Sequence, residues 1–248
     1  MSRRSSLIIG WIAATLAIAL FVHLGLWQSR RAVEKQAMLD AAAQVLETRT
    51  PKPLAVASDP RRARAYDWSA GAGSFEEDGA WLLDNQLRNG RAGVRVYRVF
   101  HPGRAVPSLQ EGRLLVDLGW VPLSGDRRMP ALEPAPSGIV EVRGLLAPPP
   151  SGGLAMGPAF RQEGAHRLMT RLDTRQMSAE LGLAVPLAPR VLRLDPALPS
   201  GYQRDLELLP NTLPPDKHRG YAVQWFGLAL TVLATALILT FRKPRRRP

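Results

Sequence analysis

The sequence predicts a membrane-anchored α+β protein in which two transmembrane helices flank a mainly antiparallel β domain outside the cytoplasm, a sandwich or a small barrel carrying one or two helices. Three observations lead there. Apolar residues are concentrated in two uninterrupted stretches, Leu7–Trp27 and Tyr221–Phe241, near the ends of a 248-residue chain whose mean hydropathy is only −0.10. All 21 acidic residues lie between these stretches. Within that middle segment, short apolar and β-branched runs alternate with Gly, Pro, Asn and Asp turn chemistry, the pattern of strands joined by tight connections.

A short tail, residues 1–6, precedes the first stretch. Leu7–Trp27 holds 21 residues with His23 as its only ionisable side chain, and as a helix it reaches about 30 Å, the thickness of a bilayer core. A removable signal is the rival reading, because Ser2-Arg3-Arg4-Ser5 resembles a twin-arginine signal and Ala17-Ile18-Ala19 a cleavage site. The apolar run is longer than the usual signal core of about 7–15 residues, and the small triplet lies inside it, so an uncleaved anchor fits better. Residues 28–220 form the extracytoplasmic segment. Its beginning, 28–47, is rich in Ala, Gln, Leu, Glu, Arg and Lys and continues the helix outward until Thr50-Pro51-Lys52-Pro53 stops it.

Strands are expected at Trp81–Gln86, Val94–Phe100, Arg113–Trp120, Ile139–Leu146, Arg167–Leu172 and Val191–Leu194. Asn89-Gly90 and Ser124-Gly125-Asp126 supply turns, and Pro148-Pro149-Pro150 with Ser151-Gly152-Gly153 a surface loop. One helix is expected at Thr174–Leu181, with Asp173 as its N-cap and Gly182 as its stop. Gly71-Ala72-Gly73-Ser74 lacks the lysine of a phosphate loop and reads as a turn, and Glu76-Glu77-Asp78 as a solvated hairpin tip. The second span is 221–241, followed by a basic tail, 242–248. Trp27, Tyr221 and Trp225 mark the outer borders of the two spans, where amphipathic rings settle at headgroup level.

Seven basic residues, Arg3, Arg4, Arg242, Lys243, Arg245, Arg246 and Arg247, flank the spans on the tail side, against five, Arg30, Arg31, Lys35, Lys217 and Arg219, on the other. This places both tails in the cytoplasm. The formal net charge of +12 is then largely a topology signal, and no nucleic-acid partner is implied. The absence of cysteine excludes disulfides, thiolate metal sites and thiol redox chemistry. Six scattered methionines disfavour a methionine copper carrier. His23, His101, His166 and His218 have no second ligand nearby in sequence, and no nucleophile or acid–base pair can be named, so the chain does not read as an enzyme.

The informative stretch is Asp216 to Trp225. His218, Tyr221 and Trp225 fall at i, i+3 and i+7, so a helix beginning before His218 presents an imidazole above two aromatic rings. Neutral imidazole ligates iron and aromatic faces suit a planar macrocycle; an interfacial histidine above an ordinary aromatic belt is the alternative. His23, within the outer leaflet, is either a second ligand on the same iron or, more simply, a partner in an interhelical hydrogen bond. Gly10, Ala13, Ala14 and Ala17, with Gly227, Thr231 and Thr235 opposite, offer small residues for close helix packing.

Leu24-Gly25-Leu26-Trp27-Gln28-Ser29-Arg30, continuing to Lys35, resembles the L-G-x-W-Q-x-x-R-x-x-x-K signature of the surfeit-locus family of cytochrome c oxidase assembly proteins. Gly93 and the strand after it resemble that family's G-x-x-V-x-x-P region, with Pro102 arriving late. Leu115-Val116-Asp117-Leu118-Gly119-Trp120-Val121-Pro122 resembles its V-N-R-G-W-V-P segment, and Asp216 to Trp225 its N-x-H-x-x-Y-A-x-x-W motif. Asp117-Leu118 stands in place of Asn-Arg, and Asp216 in place of Asn. The resemblance implies a non-catalytic helper in maturation of the oxidase, binding or handing over haem a at His218. Its implied partners are the largest oxidase subunit, subunit I, and the haem a synthase. Its implied place is the bacterial inner membrane or the mitochondrial inner membrane, with the main domain on the periplasmic or intermembrane-space side. The alternative class is a membrane-tethered binding or structural domain without a cofactor.

Overall fold

Helix α1, Arg3–Thr48, begins the computed structural model and runs unbroken for 46 residues, about 69 Å, from the apolar stretch into the alanine-rich extension. The structure describes residues 3–77, 79–103, 112–126, 128–150, 157–208 and 212–242. Asp78, Ser151-Gly152-Gly153, Met1, Ser2, Lys243, Arg245, Arg246 and Arg247 lie outside the described residues. The chain forms two compact units, a helical one of residues 1–40 and 212–248 and a β unit of residues 41–211. The β unit is thus narrower than the segment 28–220, because residues on both sides of it continue the helices.

In the helical unit, α1 lies beside α3, Pro215–Phe241. Both are long and apolar enough to cross a bilayer. Their contacts run antiparallel: the Trp11 indole donates to the Thr240 hydroxyl at 3.0 Å, Phe21 and Trp225 rings sit 5.6 Å apart, and Lys35 Nζ donates to the Leu213 carbonyl at 2.5 Å. Small residues do allow the approach, and of those expected Ala14 is buried, while the two glycines make no close contact. A Cβ on Gly10 or Gly227 would meet open space, whereas one on Gly25 would lie 2.6 Å from Phe226 Cε1. Thr231 and Thr235 turn their hydroxyls back to carbonyls of their own helix, at 2.9 and 2.8 Å, which satisfies them without a neighbour. Ala14, Ala32, Ala222 and Ala229 are the buried alanines of this pair.

The β unit contains β1 (Lys52–Pro53), β2 (Asp67–Phe75), β3 (Trp81–Arg88), β4 (Arg91–Pro102), β5 (Leu114–Pro122), β6 (Val140–Ala147), β7 (Phe160–Glu163), β8 (His166–Met169), the short helix α2 (Thr174–Glu180) and β9 (Val191–Leu194). Asp173 caps α2 as expected, its carboxylate accepting the N–H groups of Arg175 and Gln176. The pairings β2–β6–β9–β5–β4 close on themselves, because Gly73–Phe75 of β2 pair with Phe100–Pro102 of β4. The domain is therefore a small closed barrel, and β3, β8 and β7 extend from β4 as a flap. Most pairings are antiparallel; β1–β2, β3–β8 and β5–β9 are parallel.

Alternation along the strands explains the core. Leu114, Val116 and Leu118 of β5 join Phe75, Val94, Val96, Phe100, Val142, Leu146, Leu192 and Leu194, drawn from all five ring strands, in the barrel interior. Leu115 faces the other way and packs with Tyr97, Val99 and Trp81 in a cluster that includes Met177 of α2. A third cluster joins Trp68 and Leu145 to Ala42 on the last turns of α1.

The Gly71–Ser74 turn is a correction: these residues are the middle of β2. Its small side chains serve closure, since a Cβ on Gly73 would fall 2.1 Å from the His101 carbonyl oxygen. The Asp117-Leu118-Gly119-Trp120 segment contains a bulge, with Val96 opposite Gly119 and Tyr97 opposite Asp117, which leaves Leu118 as the extra residue. Gly119 has φ +116°, a conformation L side chains rarely adopt. Asp117 accepts the Gly119 N–H at 3.0 Å, and the Trp120 indole donates to the Gln86 carbonyl at 2.9 Å.

Candidate functional site

His218 lies in the first turn of α3. Proline at the first helical position costs no hydrogen bond there, and Asp216 pairs with Arg219 at 2.7 Å, so the helix start is well formed with Asp where the family pattern has Asn. The imidazole is only 6% exposed. Its Nδ1 lies 2.6 Å from Oε1 of Gln28 on α1. An amide oxygen only accepts, so this contact calls for the proton on Nδ1, the tautomer that leaves the lone pair on Nε2. Nε2 is buried and has no hydrogen-bond partner among the described residues. Leaving such an acceptor unsatisfied costs about 1–3 kcal/mol, a cost that folding alone gives no reason to bear.

The expected face is only partly assembled. Trp225 lies against Phe21 with the two rings tilted by 31°, on the side of α3 that carries His218, Ala222 and Ala229. Tyr221 is 41% exposed and flanks that face. His23 is exposed on α1, so the interhelical hydrogen bond expected of it is made by His218 and Gln28 instead. Gln28 is the residue that sequence reasoning quoted without a role. Its signal was its fixed place in the L-G-x-W-Q-x-x-R signature, directly after Trp27.

In the β unit a second constellation appears. A cavity of about 1130 Å³ is lined by Glu76, Arg98, His101, Arg113, Glu133 and His166, among others. Glu76 Oε1 receives His101 Nε2 at 2.7 Å and Arg113 Nε at 3.1 Å. His166 Nδ1 accepts the Ala80 N–H at 3.2 Å, and burial, aided by Arg98, lowers its pKa. Two histidines that stand 65 positions apart thus share one cavity. Among the described residues no three His, Asp or Glu side chains gather as a metal set.

Two buried charge groups hold the barrel wall. Asp67 receives Arg190 at 2.6 Å, Lys52 at 2.6 Å and Arg62 at 2.5 Å. Asp117, in place of the family's Asn, pairs with Arg95 at 2.7 Å and lies 3.7 Å from Arg193. Burial alone would lower the Arg95 pKa, but Asp117 more than offsets it and the value is raised; burial also raises Tyr97 beside them.

Two bilayer-length apolar helices, one before and one after a closed, mainly antiparallel barrel in sequence, define a two-span membrane-anchored β-domain protein. Residues 15–230 match the model of the SURF1 family, and the chain belongs to that family. SURF1 proteins are cytochrome c oxidase assembly factors. No curated protein matches the chain.

Proposed function

We propose that this chain is a non-catalytic assembly factor that assists insertion of haem a into subunit I of the oxidase, receiving the cofactor from the haem a synthase and presenting it at His218. The observation that carries this reading is the buried Nε2 of His218, without a hydrogen-bond partner among the described residues, at the start of a bilayer-length helix. Haem a, if bound, would supply an iron centre able to take a neutral imidazole nitrogen as a ligand. His218 is the donor that fits, Trp225 and Phe21 offer aromatic faces one to two turns along, and Tyr221 stands at the exposed flank. The excess of basic residues on the tails supports an orientation with the barrel outside the cytoplasm, in a bacterial or mitochondrial inner membrane.

The test is purification of the full chain in mild detergent from cells that make haem a. A Soret band is expected, strongly reduced by His218→Ala and His218→Leu and less so by His218→Met, which keeps a weaker iron ligand. Full absorbance and full oxidase haem content in all three variants would refute the reading. A colourless wild type would favour a membrane-tethered binding domain, the alternative that the wide Glu76–His101–His166 cavity supports.

A further inference from the structure

We infer that Gln28 is a positioning residue for His218, holding the imidazole proton on Nδ1 so that the lone pair stands at Nε2; this rests on the reading of His218 as an iron donor. The geometry is specific. Gln28 Oε1 lies 2.6 Å from Nδ1, and the two residues come from different helices, 190 positions apart. One turn before Gln28, on the same face of α1, Gly25 has no room for a Cβ against Phe226. One turn earlier again, Phe21 meets Trp225. The helix separation at Gln28 is therefore set by packing, and the hydrogen bond is made at a distance fixed by its neighbours.

The two ring nitrogens are not equivalent. A neutral histidine without a partner favours the proton on Nε2, which would leave the lone pair on Nδ1, next to the residue's own backbone. An acceptor on Nδ1 reverses that preference and fixes the ring plane at the same time, the role that a carboxylate or carbonyl plays behind metal-bound histidines. Gln28 is the acceptor here. A glutamine does this without adding a charge where Arg31 and Lys35 already follow on the same helix.

The inference is tested on the full chain in detergent micelles, with histidine labelled in the ring with ¹⁵N. Two-bond proton–nitrogen correlations report which nitrogen of His218 carries the proton, with no haem needed. Nδ1–H is expected in the wild type and in Gln28→Glu, which keeps an acceptor oxygen, and a shift to Nε2–H in Gln28→Leu. Titration with ferric haem a should then show Gln28→Leu binding about 10- to 100-fold more weakly than wild type, the usual effect of losing a partner behind a metal ligand, with Gln28→Glu close to wild type. Nε2–H in the wild type would overturn the inference, as would Gln28→Leu keeping both the wild-type tautomer and the wild-type affinity. If the tautomers behave as expected but His218→Ala leaves haem affinity unchanged, the haem reading is what fails, and with it any role of Gln28 in ligation.

Discussion

Replacing Asp67 by asparagine should be among the most damaging single changes in the β unit. The Asp67 carboxylate is 2% exposed and its Oδ2 lies 2.6 Å from Nη1 of Arg190, whose side chain is wholly buried. Breaking a buried ion pair from one side leaves an uncompensated charge and costs about 3–5 kcal/mol. Arg190 also donates to the carbonyls of Val56 and Ala65, which places the expected cost near the lower end, about 3 kcal/mol. For a unit spanning residues 41–211 each kcal/mol moves the melting point by about 2–4 °C, so Asp67→Asn should lower it by about 6–12 °C. The assay is thermal unfolding of the full chain in detergent, followed by near-ultraviolet circular dichroism from the buried Trp68, Trp81 and Trp120. The double change Asp67→Leu with Arg190→Met should recover most of the loss, because it removes both charges together. Lys52 is nearly half exposed, so Lys52→Ala should cost under about 1 kcal/mol. A melting point for Asp67→Asn within about 2 °C of wild type, or an equal loss from Lys52→Ala, would refute the assignment of Arg190 as the charge that needs a partner.

Acid sensitivity follows from the same carboxylate. Burial opposes its ionisation, but hydrogen bonds from Arg62, Lys52 and Arg190 outweigh burial and hold the Asp67 carboxyl well below the usual carboxylate range. A depressed folded pKa means that the contribution is complete above the unfolded value of about 3.9 and is lost as pH falls through the folded one. Melting points measured from pH 7 to 5 should therefore show no change from this group, and Asp67→Asn should remove part of the fall seen below about pH 4. Gly25→Val should destabilise the helix pair by about 1–3 kcal/mol in mixed-detergent unfolding, because its side chain must displace the Phe226 ring, whereas Gly227→Val, with open space at its Cβ, should leave the pair within about 0.5 kcal/mol of wild type. A reporter active only outside the cytoplasm should be active when fused after Pro150 and silent after Pro248; the reverse pattern would overturn the orientation argued from the basic flanks.

Legibility differed sharply between elements. The spans were plain because solvation alone decides them. Strand β5 was plain because Leu114, Val116 and Leu118 alternate with residues of the opposite face. Strand β2 was not, because Ser69, Ala70, Gly71, Ala72, Gly73 and Ser74 carry little apolar bulk, and the property that makes them a strand is room for a close neighbour, which only the assembled barrel supplies. The choice between sandwich and barrel had the same cause: it turns on three residue pairs between β2 and β4 that no local pattern encodes. At the site, His218 stood out by type and by position at a helix start. Its partner did not, because the contact joins residues 190 positions apart and a glutamine beside a tryptophan announces nothing about its own acceptor oxygen.

Strand β9 is only Val191–Leu194, yet it is the piece that joins β6 to β5, and it is the last ring strand to be synthesised. Until residue 194 has emerged and found its place, β5 and β6 each carry an unsatisfied backbone edge, the kind of surface that pairs with other chains. A product truncated after α2 keeps eight of the nine strands found among the described residues but lacks the one that closes the ring, and so leaves two open strand edges. Closure of the ring therefore waits on four residues near the C-terminal end of the β unit, however complete the other strands are.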